Sequence, residues 1–376
     1  MELQESGSDF WQNYWDLVVG FSALLGALVT FHFNLTGWTT FLGAVSIGAL
    51  AVTVSEVAEI LSERFKEPYG SLTLTLSAVA VEIVILIMVL KEAHYHPEVV
   101  ESVRNGIIAT VLVDLNVLLG LAVFLGGLSV VEQEHNEDTS ESYTTILFVA
   151  AAMVLVPTIL NYTSNRQSVA SGTLIIGFLL LLYYLAIFLF QTRTHTHFFR
   201  FNKKGIIRPP SISKPEKEGN YLFDRLSDWQ NVVVLGSLLL FIGIASELFS
   251  ASGVQIFKQM GIGEGLVGLF IAFITVAPEL FTAIKAARRD EMQRVINIAM
   301  GASTVSIMLT VPVLVFIARF GMGIDFTLVF NPLQVGALLL TIILVWKTTE
   351  NGETNYLEGI SHLMLFGSYA VVAANL

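Results

Sequence analysis

The chain has 376 residues, with 20 Lys and Arg against 31 Asp and Glu, for a formal net charge of −11. Hydrophobic types make up 54% and charged types only 14%, against about 25% charged in ordinary soluble domains, and mean hydropathy is +0.70. These values read as an integral membrane protein. The acidic balance excludes nucleic acid, whose phosphates need basic patches, and the absence of cysteine removes disulfides, thiolate metal sites and thiol nucleophiles.

At the N-terminus, Glu2, Glu5, Asp9 and Asp16 precede the first apolar stretch with no Lys or Arg among them. That is the reverse of a basic signal-peptide region, so this stretch is expected to remain as a helix. Eleven segments approach the roughly 20 apolar residues of a spanning helix: about 16–32, 38–63, 69–90, 105–128, 144–164, 168–190, 230–251, 263–287, 293–319, 326–347 and 355–374. Runs such as Leu179-Leu180-Leu181-Leu182-Tyr183-Tyr184 lack the two-residue alternation of barrel strands. The expected fold is therefore all-α, an integral membrane bundle of about eleven transmembrane helices.

Two loops stand out. Residues 132–141 hold Glu132, Glu134, Glu137, Asp138 and Glu141 without a base, and read as a solvated loop. Residues 191–229 carry Pro209, Pro210, Pro215 and eight basic residues, and read as a linker. His195 and His197 at its start read as interfacial anchors, not as a metal pair. The linker divides the chain into an N-terminal tail and first helix (1–37), a first five-helix repeat (38–190), the linker itself (191–229) and a second five-helix repeat (230–376). Fifteen Lys and Arg fall on the side of the N-terminus. Five, namely Lys91, Arg104, Arg166, Lys258 and Arg319, fall on the other. The positive-inside rule then places the N-terminus and the linker in the cytoplasm and the C-terminus outside. Without the eight basic residues of the linker the margin narrows to seven against five.

Ionisable residues inside spans are costly and mark function. Among them are Glu56 and Glu59 in the second span, Glu82 in the third, Asp114 in the fourth, Glu247 in the seventh and Glu279 in the eighth. Glu82 and Glu279 lie roughly 20 Å into their helices at about 1.5 Å per residue, well inside a core of about 30 Å. Ser71, Thr75, Ala78 and Glu82 share one helix face, as do Thr275, Glu279 and Thr282. Stripes of hydroxyl and carboxylate oxygen suit a hard cation. Pro278 interrupts the hydrogen-bond ladder, so a kink and a freed carbonyl are expected there. The halves also echo each other: Ser55-Glu56 answers Ser246-Glu247, and Gly70 before Glu82 answers Gly268 before Glu279. An odd number of spans per half inverts one half relative to the other, the pattern of secondary transporters.

These residues resemble a known family. Val57-Ala58-Glu59-Ile60-Leu61, Glu67-Pro68-Tyr69-Gly70 and Glu82 are similar to the first repeat of the cation/calcium exchanger superfamily. Gly268, Ala277-Pro278-Glu279, Asp290-Glu291-Met292, Met300-Gly301-Ala302-Ser303 and Val311-Pro312-Val313 are similar to the second. Within the superfamily the calcium/proton antiporters, and their bacterial ChaA-type branch, are most alike. The resemblance implies that Glu82 and Glu279 are the paired central carboxylates binding cation and proton, in a fold of one helix followed by two inverted five-helix repeats. Glu56, Glu59, Thr75, Asp114, Glu247, Thr275, Pro278 and Ser303 stand as accessory or entrance residues. Three departures leave the ion open: Ala80-Val81 and Ala277-Pro278 replace the usual Gly-Asn, Asp114 replaces an Asn, and Ser306 replaces a common Gln. ChaA-type members are associated with Na⁺ and K⁺ as well as Ca²⁺.

The expected activity is antiport of a cation, Ca²⁺ first and Na⁺ or K⁺ as the alternative, against protons across a bacterial inner membrane. Two carboxylates in a dehydrated site cannot both remain charged with nothing between them, so they hold either cation or protons. No cofactor is expected beyond the transported ions, and no macromolecular partner beyond the bilayer; the oligomeric state is not legible. Two non-identical halves in one chain argue against a channel, and the spans hold no nucleophile or metal set for an intramembrane hydrolase, so the chain is not read as an enzyme.

Overall fold

The computed structural model of the chain describes residues 2–65, 69–195 and 221–375. Among them, eleven helices are long and apolar enough to cross a membrane. They are α1 (Glu2–His32), α2 (Thr36–Arg64), α3 (Tyr69–Lys91), α4 (Val99–Gly127), α5 (Glu137–Thr163), α6 (Arg166–Thr194), α7 (Asp228–Gln259), α8 (Glu264–Arg288), α9 (Met292–Met322), α10 (Pro332–Thr349) and α11 (Tyr356–Asn375). The described β-structure is a two-residue ribbon, β1 (Gln133–Glu134) antiparallel to β2 (Glu353–Thr354).

Each expected span is present, but the first begins at Glu2, not near 16, the fourth begins at Val99, not near 105, and two others begin elsewhere for identifiable reasons. The fifth starts at Glu137, not near 144, because Asn136 accepts a hydrogen bond from the Asp138 amide and caps it. Glu137 and Asp138 then lie in its first turn, where the helix dipole favours acids. Much of the acidic stretch 132–141 is thus strand and helix start. The tenth span starts at Pro332, not near 326: Asn331 and Gln334 form a reciprocal capping box, and the preceding residues are non-helical. Of the linker, residues 196–220 and with them His197 lie outside the described residues, as do Lys66, Glu67, Pro68 and the side chain of Ser71. His195 stacks on Phe190, with ring centroids 4.2 Å apart.

Helices α4 and α9 are the most enclosed, whereas α1, α6 and α11 lie at the periphery. Long helices α2 and α7 pack against each other, and α8 packs against α4. Lipid tails supply no hydrophobic drive between helices, so close approach depends on small side chains. At Gly268 of α8 an added Cβ would meet backbone atoms of Asn105 and Gly106 in α4 at 2.7 Å. The absent side chain lets the two backbones touch one helical stretch above Glu279 and Asp114.

Both enclosed helices widen into a π-helical turn at mid-length, α4 at Val113–Leu118 and α9 at Ser306–Thr310, and α9 ends in a second at Ile317–Met322. Such turns carry an extra residue and recur at functional sites. The two mid-length turns lie beside the carboxylates described next, and neither is announced by the sequence.

Candidate cation-binding site

Glu82 from α3, Asp114 from the π-turn of α4 and Glu279 from α8 line one small cavity of about 10 Å³ with Thr110, Thr275 and Ser306. That is close to the least space that holds a single water. Its lining contains no basic residue. Glu82 and Asp114 are buried, at 3% and 1% exposure, whereas Glu279 is partly exposed.

Glu82 is held from the opposite half of the chain. Its Oε2 accepts hydrogen bonds from Ser306 Oγ at 2.6 Å and Thr310 Oγ1 at 2.9 Å, both in the π-turn of α9. Its Oε1 is buried without a hydrogen-bond partner. Asp114 repeats the arrangement more loosely, with Oδ2 accepting from Ser303 Oγ at 3.4 Å and Oδ1 buried and unpartnered. Two buried carboxylate oxygens without a hydrogen-bond partner, on residues lining one small cavity, are a costly arrangement that a proton or a cation would relieve.

A larger cavity of about 530 Å³ leads to this point, lined among others by Glu59, Glu63, Thr75, Ala78, Glu134, Glu279, Thr282, Asp290, Glu291 and Arg294. Only Arg294 among its lining residues is basic, and it is committed: it pairs with Glu59 and stands 3.8 Å from Glu291. The Glu59–Arg294 pair joins α2 to α9, one helix from each half, across the mouth. The vestibule reaches the N-terminal part of α3, at Leu74 and Thr75, and the C-terminal part of α8, at Thr282. The two carboxylate-bearing helices therefore run in opposite directions past the site.

Of the sequence-predicted residues, Glu82, Glu279, Asp114 and Thr275 converge on the central cavity, Ser303 touches Asp114, and Thr75 and Glu59 line the vestibule. The hydroxyl of Thr275 donates to the Ala272 carbonyl at 2.9 Å. Pro278 is buried inside an α8 that runs from Glu264 to Arg288, and its own carbonyl accepts from Thr282 Oγ1 at 3.2 Å. Glu56 and Glu247 lie apart from the site. Glu56 accepts a 2.5 Å hydrogen bond from Tyr221, whose hydroxyl burial and the carboxylate beside it push above its ordinary range. Glu247 pairs with Lys91 at 2.6 Å. Neither sits at a helix end as its place in the expected span suggested, since Glu247 is well inside Asp228–Gln259 and Glu56 inside Thr36–Arg64; each meets a partner from another segment, which spacing within one span cannot show.

Thr110, Thr310 and Glu63 escaped the sequence reading, and Glu134, Asp290 and Glu291 entered it only as loop or motif residues, not as lining of a vestibule. A signal for one set was present: Ser303, Ser306 and Thr310 fall at i, i+3 and i+7, the same stripe criterion that selected Thr75 and Thr275.

Comparison with known proteins places the chain in a family and a fold. The family described as "Sodium/calcium exchanger protein" matches residues 31–193 and 230–374, on either side of the linker. A Ca²⁺/H⁺ antiporter of Synechocystis is 27% identical over 287 residues, covering 73% of this chain and 74% of its own. The sodium-potassium/proton antiporter ChaA of Escherichia coli is 25% identical over 330 residues, covering 87% and 86%. Among solved structures, the Ca²⁺/H⁺ antiporter protein YfkE superposes with a TM-score of 0.77 over 97% of this chain and 100% of its own, at 20% identity, and so shares the fold.

Proposed function

The chain belongs to the sodium/calcium exchanger protein family, and from that premise we propose that it is a secondary antiporter exchanging a cation, Ca²⁺ first, for protons at Glu82, Glu279 and Asp114. The observation that carries this reading is the convergence of three carboxylates on one small cavity with no base in its lining and two buried oxygens unpartnered.

The mechanism follows from charge. Negative charge gathered in a medium of low dielectric must be balanced inside the site. Protons on the carboxylates do this in one state, and a cation ligated by their oxygens does it in the other. Because both compete for the same oxygens, exchange needs no separate coupling device. A divalent ion balances two carboxylates and leaves the third protonated; a monovalent ion balances one. Na⁺ or K⁺ is the second reading, favoured by a ligand set of carboxylates and hydroxyls without an amide in the cavity lining.

Glu279, at the floor of the vestibule, meets an arriving cation first, and Glu82 and Asp114 complete its shell from below. Thr75 and the acidic vestibule wall draw cations toward Glu279. Alternation would come from two inverted five-helix halves, 38–190 and 230–376, rocking about the site. The Glu59–Arg294 pair is one link between them that must break or re-form. With the N-terminus cytoplasmic, the vestibule faces the cytoplasm and the C-terminus faces outward, in a bacterial plasma membrane.

The test is collapse of an imposed pH gradient in proteoliposomes by Ca²⁺, Na⁺ and K⁺ added separately. Cation-dependent proton efflux is expected, strongest with Ca²⁺; uncoupled leak, or no flux with any of the three, would reject antiport. Orientation is testable because the chain lacks cysteine. In intact cells an impermeant thiol reagent should label Tyr95→Cys and spare Glu353→Cys; the opposite pattern would invert the topology.

A further inference from the structure

Helix α11 contributes nothing to the cation cavity lining, yet it buries a histidine beside the element that does. His362 is fully buried, at 0% exposure. Its Nδ1 lies 3.0 Å from Asn116 Oδ1, and its Nε2 lies 3.0 Å from Thr348 Oγ1. Asn116 Nδ2 donates to Thr341 Oγ1 at 2.7 Å. Asn116, Thr341 and Thr348 are all buried as well. With the amide nitrogen of Asn116 engaged by Thr341, its oxygen is left to accept. His362 therefore carries its proton on Nδ1, and Nε2 accepts from the Thr348 hydroxyl.

Asn116 and Asp114 are members of the same π-turn, Val113–Leu118. They face opposite ways: Asp114 lines the cation cavity, and Asn116 bonds to α10 and α11. A π-turn is a strained insertion in a helix and needs outside contacts to hold it. The backbone is built to deliver His362 to this spot. At Gly120, just beyond the π-turn, a Cβ would strike the His362 Cβ at 2.7 Å; at Gly359, one helical turn before His362, a Cβ would meet the Gly120 carbonyl oxygen at 2.6 Å. The two glycines let α4 and α11 touch, and the histidine fills the contact.

We infer that His362 is a positioning residue for cation binding, holding Asn116 and through it the π-turn that aims Asp114 into the cavity. This rests on the antiport reading only in that Asp114 is a ligand. His362 does not touch the ion. It fixes the direction of a group that does, as outer partners of metal ligands do.

The experiment is Ca²⁺ titration of the purified, full-length protein by calorimetry, alongside the apparent KM and the maximal rate in proteoliposomes. His362→Leu is expected to weaken Ca²⁺ binding and raise KM about tenfold, with a smaller change in maximal rate, the size expected for loss of an orienting group. His362→Asn, whose amide can donate from the Nδ1 position, should restore most of the affinity. In an Asp114→Asn background, His362→Leu should add nothing, because the group it orients is already altered. Should His362→Leu fail to fold, Thr348→Val removes only the Nε2 partner and is expected to give the same change at smaller size. Wild-type affinity in His362→Leu, or in Thr348→Val where the former does not fold, would overturn the inference and leave antiport standing. So would additive losses in the double variant, or failure of His362→Asn to rescue. A wild-type protein that binds neither Ca²⁺ nor Na⁺ would overturn the antiport reading, and this inference with it.

Discussion

Glu82 and Glu279 occupy matching places on oppositely running helices, yet the molecule treats them differently. Glu82 is sealed in, with one oxygen held by Ser306 and Thr310 of the other half. Glu279 is partly exposed on the vestibule and, among the described residues, accepts no hydrogen bond from a side chain. One carboxylate is thus pre-oriented and the other is left to meet what arrives. In a device that alternates access, this is the asymmetry of a single state, open on the side of the N-terminus. On the proposed antiport reading, the anchored partner defines the site and the one facing the vestibule defines the entrance.

The sharpest way to break this comparison is to neutralise each member. Glu82→Gln and Glu279→Gln should each abolish exchange, at least a hundredfold in proteoliposome flux, since neither amide can carry the proton or balance the cation. Wild-type exchange in both would remove the site assignment. Next in size is the anchor. Hydrogen bonds to a charged group contribute about 1.5–3 kcal/mol, so Ser306→Ala with Thr310→Val should raise the apparent cation KM about tenfold or more. The same treatment of Thr282, whose hydroxyl is spent on the Pro278 carbonyl, should leave KM nearly unchanged. Equal effects at the two places would erase the anchored-versus-free distinction.

A smaller effect concerns the support of the Glu279 side. Gln133 Nε2 donates to the Ala287 carbonyl at the end of α8, and the neighbouring His135 is buried on the same ribbon. Burial pushes His135 down to about 4. Between its ordinary value near 6.5 and 4, the unfolded chain takes up a proton that the folded chain refuses. Stability is therefore complete above about pH 6.5 and falls as pH drops, by about 3 kcal/mol in all. His135→Leu should flatten that part of the melting-temperature profile between pH 7.5 and 4.5; an unchanged slope would clear the ribbon of acid sensitivity.

How far residues alone reach can be argued from these same groups. Span length and composition revealed all eleven helices, because membrane solvation leaves few alternatives for apolar stretches. Glu82, Glu279 and Asp114 were legible as costly charges at depth. Glu56 and Glu247 looked equivalent in sequence but lie elsewhere, because their partners Tyr221 and Lys91 come from other segments. The π-turns at Val113–Leu118 and Ser306–Thr310 had no local signal; their polar side chains bond to other helices, which no single span reveals. His362 was overlooked because a lone histidine in an apolar helix shows neither its depth nor Asn116, 246 residues away.

The central claim is that proton and cation share one set of oxygens. Initial exchange rates against Ca²⁺ concentration, taken at several pH values in proteoliposomes, test it most directly. A shared site predicts that acid raises the apparent KM while saturating Ca²⁺ restores the same maximal rate, because protonated Glu82 and Glu279 cannot ligate. Acid inhibition that lowers the maximal rate and yields to no concentration of Ca²⁺ would place the proton at a separate group and contradict the claim.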